Sequence, residues 1–270
     1  MDLYTTVSPL LLLLLLLGLC GAQLDNKKKL FHLIFFLHLD EKSSTLTGFS
    51  DFLMEGDLLP PKTRTAMKCL NDANSCLWPK SANGKVEIKY TISNKYDRSE
   101  RNAIIRAMRD FESQTCIRFI PRKRGERIYL SIEPRYGCFS MLGRIGDRQV
   151  VSLQRFGCID HGIIQHELMH AIGFHHEHTR SDRDQYVKIH WENLDDYVKN
   201  NFHKKDTNNL NLPYDYSSIM HYGRTAFGRF GSQTITPIPD PSVPIGQRAA
   251  MSEVDILRVN LLYKCHLRDD

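Results

Sequence analysis

Five of the chain's twelve histidines fall within thirteen residues, in the stretch HELMHAIGFHHEH from His166 to His178. His166 and His170 are four residues apart, so on a helix they lie one turn from each other on the same face. Both imidazoles can then reach a single ion at the roughly 2.0–2.1 Å of a zinc–nitrogen bond. Glu167 lies between them and can act on a water molecule at that ion. The spacing therefore predicts a metal site with a carboxylate beside it.

A glycine and a third histidine extend this motif and make it much more specific. Gly173 follows His170 by three residues, and His176 follows Gly173 by three. Glycine accepts the positive φ that ends a helix abruptly, so the chain can turn back and bring His176 to the same ion. Three histidines leave one position open for water, which is typical of a catalytic zinc and not of a closed structural one.

Six further histidines in and around this motif lack ligand spacing. We predict that they are half-exposed side chains without a role in the site, as is common for this residue type. They are His161, His175, His178, His190, His203 and His221. For the three spaced histidines themselves, the alternative is a chance set of surface side chains.

The elements that must position the motif follow from periodicity. Residues 86–92 (VEIKYTI) alternate between apolar and polar side chains, which predicts a strand. Asp97 to Glu100 resembles a capping box and opens a helix with one apolar face. That face consists of Ala103, Ile104, Ala107, Met108 and Phe111. Further strands are predicted at 117–120, 128–132 and 150–153, and the histidine helix from near 162 to near 173.

The second half of the chain shows little periodicity between residues 180 and 250 and is rich in Pro, Asn, Asp and Gly. Mostly irregular structure is therefore expected there, held in part by cross-links. A last helix is predicted over residues 252–263, with Ser252 as its N-cap and Ile256, Val259 and Leu262 facing inward.

The N-terminus predicts a secretory leader. Residues 9–20 (PLLLLLLLLGLC) form an apolar run that is too short to span a bilayer comfortably, and small residues follow before Gln23. Asp2 and the lack of Lys or Arg in this leader depart from the usual pattern, so an uncleaved anchor is the alternative. A net charge of +5, spread along the chain, does not indicate nucleic-acid binding.

Seven cysteines fit a secreted protein, because Cys20 would leave with the leader and six would remain. Six cysteines predict three disulfides, with 15 possible pairings. None shows C-x-x-C spacing, so cysteine ligation of a metal is not expected.

Two separate motifs resemble those of the astacin metallopeptidases, a family within the metzincins. Residues 166–184 (HELMHAIGFHHEHTRSDRD) resemble the family's zinc signature, and 218–222 (SIMHY) resemble its methionine turn. The resemblance extends from about residue 69 to 265. The segments CLWPKSANGKV and PYDYSSIMHYGRTAFG resemble the hatching enzymes of fish in particular, closest to the low choriolytic type.

This resemblance implies an α+β fold of the metzincin type. A twisted, mostly parallel sheet with two helices would form the N-terminal half. The C-terminal half would be irregular and end in a helix, and the active-site cleft would lie between the halves. Residues 1–22 would be the signal peptide, 23–64 a propeptide, and 65–270 the metallopeptidase domain.

The resemblance also implies roles for individual residues. One Zn²⁺ per chain would be bound by His166, His170 and His176, with Glu167 as general base and Tyr222 stabilising the oxyanion. For Tyr222 the alternative is a core tyrosine with a hydrogen-bonded hydroxyl. Met220 would form an apolar floor under the metal, and Glu177 would contact the mature N-terminus.

The propeptide would keep the enzyme latent. Residues 52–57 (FLMEGD) resemble the family's F-x-G-D element, in which an aspartate, here Asp57, fills the open zinc position. The alternative for Asp57 is a plain turn residue beside Gly56. Cleavage after Arg64 by an activating protease would remove it. The implied disulfides are Cys116–Cys265, Cys138–Cys158 and an additional Cys69–Cys76, the first two bracing the irregular half.

The function implied is that of a secreted zinc endopeptidase that digests egg-envelope glycoproteins at hatching. It would be stored as a zymogen in secretory granules and act as a monomer, with no nucleic-acid partner and no stable membrane insertion. Two alternatives stay open: a digestive or matrix-processing protease, and a catalytically inactive zinc protein that binds the envelope.

Overall fold

The computed structural model describes residues 53–60 and 76–265 of the 270-residue chain. The predicted leader, the cleavage point at Arg64 and the residue Cys69 lie outside these ranges. Within them, no helix combines the length and the apolar character that crossing a membrane would require.

The first half of the domain contains a five-stranded sheet, and four of its strands correspond to segments predicted from the sequence. The strands are β1 (Val86–Ile92), β2 (Ile117–Pro121), β3 (Tyr129–Glu133), β4 (Cys138–Phe139) and β5 (Arg148–Leu153). Their order in the sheet is β2-β1-β3-β5-β4; β1, β2, β3 and β5 run parallel, and β4 is antiparallel to β5. The strand β4 at one edge was not predicted, because two residues are too few for a periodic signal.

Two helices, α1 (Arg98–Gln114) and α2 (His161–Ala171), pack against the sheet and against each other. The predicted capping box at Asp97 is present, with Glu100 bonding back to the backbone of the cap. Four of the five residues on the predicted apolar face of α1 are buried, and Ala103 is partly buried. This packing forms the main core and fixes the position of α2, which carries the first part of the histidine motif.

The second half is mostly irregular, as predicted, but it contains a small sheet that the sequence did not indicate. Strands β6 (Val187–Ile189) and β7 (Ile235–Pro237) pair antiparallel and pack within a second apolar cluster around Phe202. The terminal helix α3 (Glu253–Leu262) has the predicted N-cap, Ser252. Several short 3₁₀ turns lie between these elements.

The two described disulfides join the pairs that the resemblance implies, Cys116–Cys265 and Cys138–Cys158. The expectation that both brace the irregular half is wrong for the second pair. Cys138 belongs to β4 and Cys158 precedes α2, so this disulfide lies entirely in the first half. Cys76 is also disulfide-bonded, and its predicted partner Cys69 lies outside the described ranges.

Candidate active site and metal centre

Helix α2 presents His166, Glu167 and His170 to the interior of the domain. All three side chains are buried, and the two imidazole rings are 4.8 Å apart between centroids. The start of the helix is fixed by Gly162, where a Cβ atom would come within 2.1 Å of the Arg248 carbonyl oxygen. The close approach of this backbone therefore requires glycine.

The third histidine reaches the first two because the chain reverses at Gly173. This residue has a φ of +110°, and its N–H donates to the His170 carbonyl at 2.9 Å, which ends the helix. The imidazole of His176 then lies 4.7 Å from that of His170 and 5.1 Å from that of His166, between ring centroids. The predicted role of the glycine is the one that the structure shows.

The three imidazoles converge on the carboxylate of Asp57, from the segment that was predicted to act as a propeptide. Oδ2 of Asp57 lies 3.0 Å from Nε2 of His166 and 3.1 Å from Nε2 of His176, and Oδ1 lies 3.3 Å from Nε2 of His170. These four side chains place their ligand atoms within 4.8 Å of one another. The arrangement has the donor set of a zinc site, three nitrogens and one carboxylate.

The spacing of these atoms fits a zinc ion. A tetrahedral centre with bonds of about 2.0–2.1 Å has edges of about 3.3–3.4 Å between ligand atoms. The Nε2 atoms of His166 and His176 are 3.2 Å apart, and the Asp57 contacts have similar lengths. In the described structure, Nε2 of His170 and Oδ1 of Asp57 are buried without a hydrogen-bond partner, as expected of atoms that face a cation.

The other ring nitrogens hold the histidines in the tautomer that a metal needs. Nδ1 of His166 donates to the Ile219 carbonyl at 2.8 Å, and Nδ1 of His170 donates to the Phe174 carbonyl at 2.7 Å. Both rings therefore offer the lone pair of Nε2 to the site. Burial lowers the pKa of His166 to about 3, which keeps this imidazole neutral.

His176 differs, because its Nδ1 contacts a carboxylate of the same pro-segment, that of Glu55, at 2.9 Å. Burial alone would lower the pKa of His176, but Asp57 and Glu55 outweigh this effect and raise it to about 9. Two carboxylates therefore make this point of the site favourable for a cation.

Glu167 fits the role of a proton acceptor held close to the ligands. Its side chain is 1% exposed, and in the described structure its Oε2 lacks a hydrogen-bond partner. Burial and then the charge of Asp57 raise the pKa of the Glu167 carboxyl well above its ordinary value. A carboxylate in such surroundings has a higher affinity for a proton than one in water.

The segment that resembles the methionine turn brings Tyr222 next to the His176 side chain of the site. The Tyr222 ring lies 4.5 Å from that of His176, and its hydroxyl donates to the backbone carbonyl of Glu55. Met220 is buried in the main core, and its carbonyl accepts from the N–H of Glu177 at 3.0 Å.

Glu177 is buried against basic side chains of the second half. Arg258 donates to both of its carboxylate oxygens, and Arg180 lies 3.3 Å from Oε1. The backbone N–H of Asp215 also donates to this carboxylate at 2.7 Å. The predicted contact with a mature N-terminus involves Thr65, which lies outside the described ranges.

Two histidines that we expected to be half-exposed are fully buried, so that expectation is wrong for them. His178 stacks on Tyr222 with ring centroids 3.9 Å apart, and its Nε2 donates to the Asn201 carbonyl at 3.0 Å. His221 donates from Nδ1 to the Tyr222 carbonyl and accepts from the Tyr214 hydroxyl, both at 2.7 Å. The residues that these two histidines contact do not lie at helix or strand spacing from them in the sequence. Sequence periodicity therefore could not predict that the two side chains are buried.

Sequence reasoning also missed Glu55 and Lys205. The Glu55 side chain is fully buried and contacts His175, His176 and Lys205. The only hint in the sequence was that Glu55 lies two residues before Asp57, the residue predicted to fill the open zinc position. The side chain of Lys205 is 14% exposed, and nothing in its local sequence distinguishes it from the solvated Lys204.

Residues 73–264 match the family model described as Astacin, a family of peptidases. The chain belongs to the astacin family. It is therefore a zinc-dependent metalloendopeptidase, and the three histidines with Asp57 form its candidate zinc site. The α+β fold with its mostly parallel sheet and C-terminal helix is that of the family.

Named relatives include fish proteins. The chain is 55% identical to the low choriolytic enzyme of Oryzias latipes over 274 residues, which cover 98% of this chain and 100% of the relative. It is 56% identical to high choriolytic enzyme 2 of the same fish over 214 residues, covering 79% of this chain and 76% of that one. The solved structure of high choriolytic enzyme 1, described as a hatching enzyme zinc-protease from Oryzias latipes, matches with a TM-score of 0.70 and 55% identity, over 72% of this chain and 98% of that chain.

Proposed function

We propose that this astacin peptidase is a secreted zymogen that hydrolyses egg-envelope proteins at hatching. The proposal divides the chain into a signal peptide at 1–22, a propeptide at 23–64 and the peptidase domain at 65–270. Its support is the similarity to named choriolytic enzymes, which extends over nearly the whole chain in one case. A digestive or matrix-processing role is the alternative within the same chemistry.

The observation that carries the zymogen proposal is the carboxylate of Asp57 at the point where the three histidines converge. A carboxylate is a good zinc ligand, so Asp57 would take the position that a reacting water needs. The backbone of the pro-segment is also held along the sheet edge. The Leu59 N–H donates to the Ser140 carbonyl at 2.8 Å, and the Ser140 N–H donates to the backbone carbonyl of Asp57 at 2.9 Å. Cleavage near Arg64 by an activating protease would release it.

The residues present define how the mature site would act on a peptide. His166, His170 and His176 would hold zinc, which would supply an electrophilic centre able to lower the pKa of water and to polarise a carbonyl. Glu167 accepts a proton from the attacking water and passes it to the leaving amine. Its buried carboxylate and raised pKa suit this exchange.

Tyr222 would bind the carbonyl oxygen that becomes negative during the attack. In this structure its hydroxyl already donates to a peptide carbonyl, that of Glu55 in the pro-segment. A donor aimed at this oxygen stabilises the transition state more than the substrate. An extended substrate would hydrogen-bond to the sheet edge at Ser140, which the pro-segment uses here.

The partners that follow are protein substrates, with egg-envelope glycoproteins as the proposed target. In this proposal the enzyme is secreted through granules and acts as a monomer. It binds no nucleic acid and does not insert stably into a membrane. A catalytically inactive, envelope-binding zinc protein is disfavoured, because both Glu167 and Tyr222 are present at the site.

The test is peptide release from isolated egg envelopes by recombinant protein matured at Arg64, with Glu167→Gln and a zinc chelator as controls. We expect release that both controls abolish. If casein is cut while envelopes stay intact, the peptidase stands and the hatching role is wrong. If correctly matured, zinc-loaded protein cuts neither, the envelope-binding alternative is favoured.

A further inference from the structure

The turn between β2 and β3 carries a dense run of positive charge. Residues 121–128 read PRKRGERI, with three adjacent basic residues and a fourth after two further positions. The four basic side chains and one carboxylate, that of Glu126, give this segment a net charge of +3. We call residues 122–127 the basic turn. Its four cations, all exposed, are Arg122, Lys123, Arg124 and Arg127.

The positive charge of the basic turn is not neutralised by the rest of the described chain. Among residues 53–60 and 76–265, no carboxylate forms an ion pair with the turn. The ion pairs of the first half involve other cations, among them Arg135, Arg148 and Arg155. Glu126, the acid within the turn, accepts from the backbone N–H of Lys123 at 2.5 Å. Its carboxylate therefore holds the backbone, and the four cations are available to a ligand.

The backbone of the basic turn is held by hydrogen bonds within the turn and to β1. The Arg122 N–H donates to the Tyr90 carbonyl at 2.9 Å. Nε of Arg122 donates to the Glu126 carbonyl at 2.7 Å, and its guanidinium lies over the Tyr129 ring, 4.2 Å from the centroid. Gly125, with a φ of +95°, supplies the reversal of the chain. A ligand would meet an ordered backbone, which lowers the entropy lost on binding.

The position of the basic turn separates it from the active-site cleft. The turn follows β2, the strand at one edge of the sheet, whereas the pro-segment binds at Ser140, beside β4 at the opposite edge. The preceding cation, Arg118, is not part of the turn's free charge. Its guanidinium donates to the carbonyls of Thr115 and Ile117 at 2.7 and 2.6 Å. A ligand on the basic turn would therefore not compete with a peptide in the cleft.

We propose that the basic turn binds a sulfated polysaccharide. Basic runs of five to eight residues are typical of sites for nucleic acids or heparin-like chains. Three of the four cations are arginines, whose planar fork can bind two oxygens of one anionic group. A nucleic acid needs a broad basic face, but the whole chain has a net charge of only +5, of which the turn supplies +3.

The consequence of this site would be retention of the secreted enzyme in an extracellular matrix. That consequence rests on the proposed function, because it requires secretion toward the egg envelope. Binding of the polysaccharide itself requires no catalysis. The two can therefore fail separately, and the experiments below measure binding with protein that cannot cleave peptides.

The first measurement is the affinity of a fluorescent heparin dodecasaccharide for zinc-loaded Glu167→Gln protein matured at Arg64. We expect binding whose logarithmic affinity falls with the logarithm of the salt concentration, with a slope of about 3. Four contacts to a polyanion should each release about 0.7–0.9 counterions. Absence of binding at low salt would overturn the proposal.

A triple variant assigns the binding to the basic turn. Lys123→Gln, Arg124→Gln and Arg127→Gln are combined, while Arg122 is kept because it stacks on Tyr129 and holds the turn. Affinity for the dodecasaccharide should fall by about tenfold or more, since three exposed charge contacts are lost. A change of less than about twofold would refute the assignment.

A matched control removes three positive charges from the second half of the domain. The control variant replaces three lysines by glutamine, namely Lys188, Lys199 and Lys204. It should bind within about twofold of the parent protein, whereas an equal loss in both triple variants would show that only the net charge matters. Glu126→Gln should raise the affinity by about twofold to fivefold, because it removes the negative charge of the turn while its amide oxygen can still accept from Lys123. Misfolding cannot imitate this gain.

Other polyanions test the chemical class of the ligand. The dodecasaccharide should bind more tightly than hyaluronan of the same length, which lacks sulfate, a glutamate dodecapeptide or a duplex DNA of twelve base pairs. Tighter binding of any of these three would overturn the choice of a sulfated polysaccharide. In active, matured protein, saturating dodecasaccharide should leave kcat/KM for a short quenched peptide unchanged. Competitive inhibition would place the polyanion in the cleft and contradict the proposal.

Discussion

The two halves of the domain, residues 86–173 and 174–265, build their parts of the site by different means. The first half uses a sheet and two helices, and helix α2 alone supplies His166, Glu167 and His170. The second half supplies His176 and Tyr222 from turns. The geometry of a helix fixes the first set, whereas hydrogen bonds to buried polar groups fix the second.

This difference shows where each half is sensitive to change. The turn at Met220 is held by Asp255, which accepts from the Ile219 N–H at 2.8 Å and from the Ser218 hydroxyl at 2.6 Å. Removal of this buried carboxylate would leave these two donors unsatisfied, together with the Ser252 N–H that bonds to it at 3.0 Å, at a cost of about 1–3 kcal/mol each. The first half instead depends on apolar packing of α1 and α2 on the sheet.

The largest effect is expected for the disulfide that joins the halves. Replacing Cys116 and Cys265 by serine opens a link across 149 residues, while replacing Cys138 and Cys158 opens one across 20 residues in the first half alone. Loop-closure entropy predicts losses of about 5 and about 3 kcal/mol in the free energy of unfolding. Urea unfolding of zinc-loaded protein measures both losses. Equal losses would contradict the expectation that the disulfide between the halves stabilises the domain more than the one within the first half.

Glu167→Gln tests the catalytic contribution of the first half. We expect kcat to fall by about 10²–10⁴-fold, the usual share of general acid–base catalysis, because the amide cannot accept the proton. Zinc content, measured by mass spectrometry, should stay at one ion per chain. A variant that retains most of its activity would mean that another group is the base.

Tyr222→Phe tests the contribution of the second half. Loss of one oxyanion donor should lower kcat by about 10²–10³-fold with little change in KM. The stacked ring of His178 should keep the phenylalanine in place, since this contact does not need the hydroxyl. If KM rises and kcat is unchanged, Tyr222 binds substrate without stabilising the transition state.

The smallest effects are expected at the two capping boxes, one in each half. Asp97→Ala removes an exposed cap of α1 and should cost about 1 kcal/mol of stability. Ser252→Ala should cost about 2 kcal/mol, at the upper end for caps, because its hydroxyl also donates to the buried Asp215 carboxylate at 2.5 Å. Thermal unfolding of both variants checks the order, and a reversed order would argue against polar bracing of the second half.

The sequence predicted the first half better than the second for a physical reason. The alternation in VEIKYTI and the apolar face of α1 are local patterns, and the spacing of His166, His170 and His176 is a local pattern too. Strands β6 and β7 have three residues each and pair across a long separation, so no local signal exists. The burial of His178 and His221 depends on Asn201 and Tyr214, which only the folded chain brings near.

The most direct test of the account is the behaviour of the Asp57→Ala precursor, because the central claim is a zinc site completed from both halves and closed by Asp57. The full-length variant is expressed without added protease, and its N-terminus and casein hydrolysis are followed over time. We expect a precursor that activates itself prematurely, with a new N-terminus near Thr65, while Asp57→Ala combined with Glu167→Gln stays uncleaved. An Asp57→Ala precursor that remains intact and silent would contradict the claim.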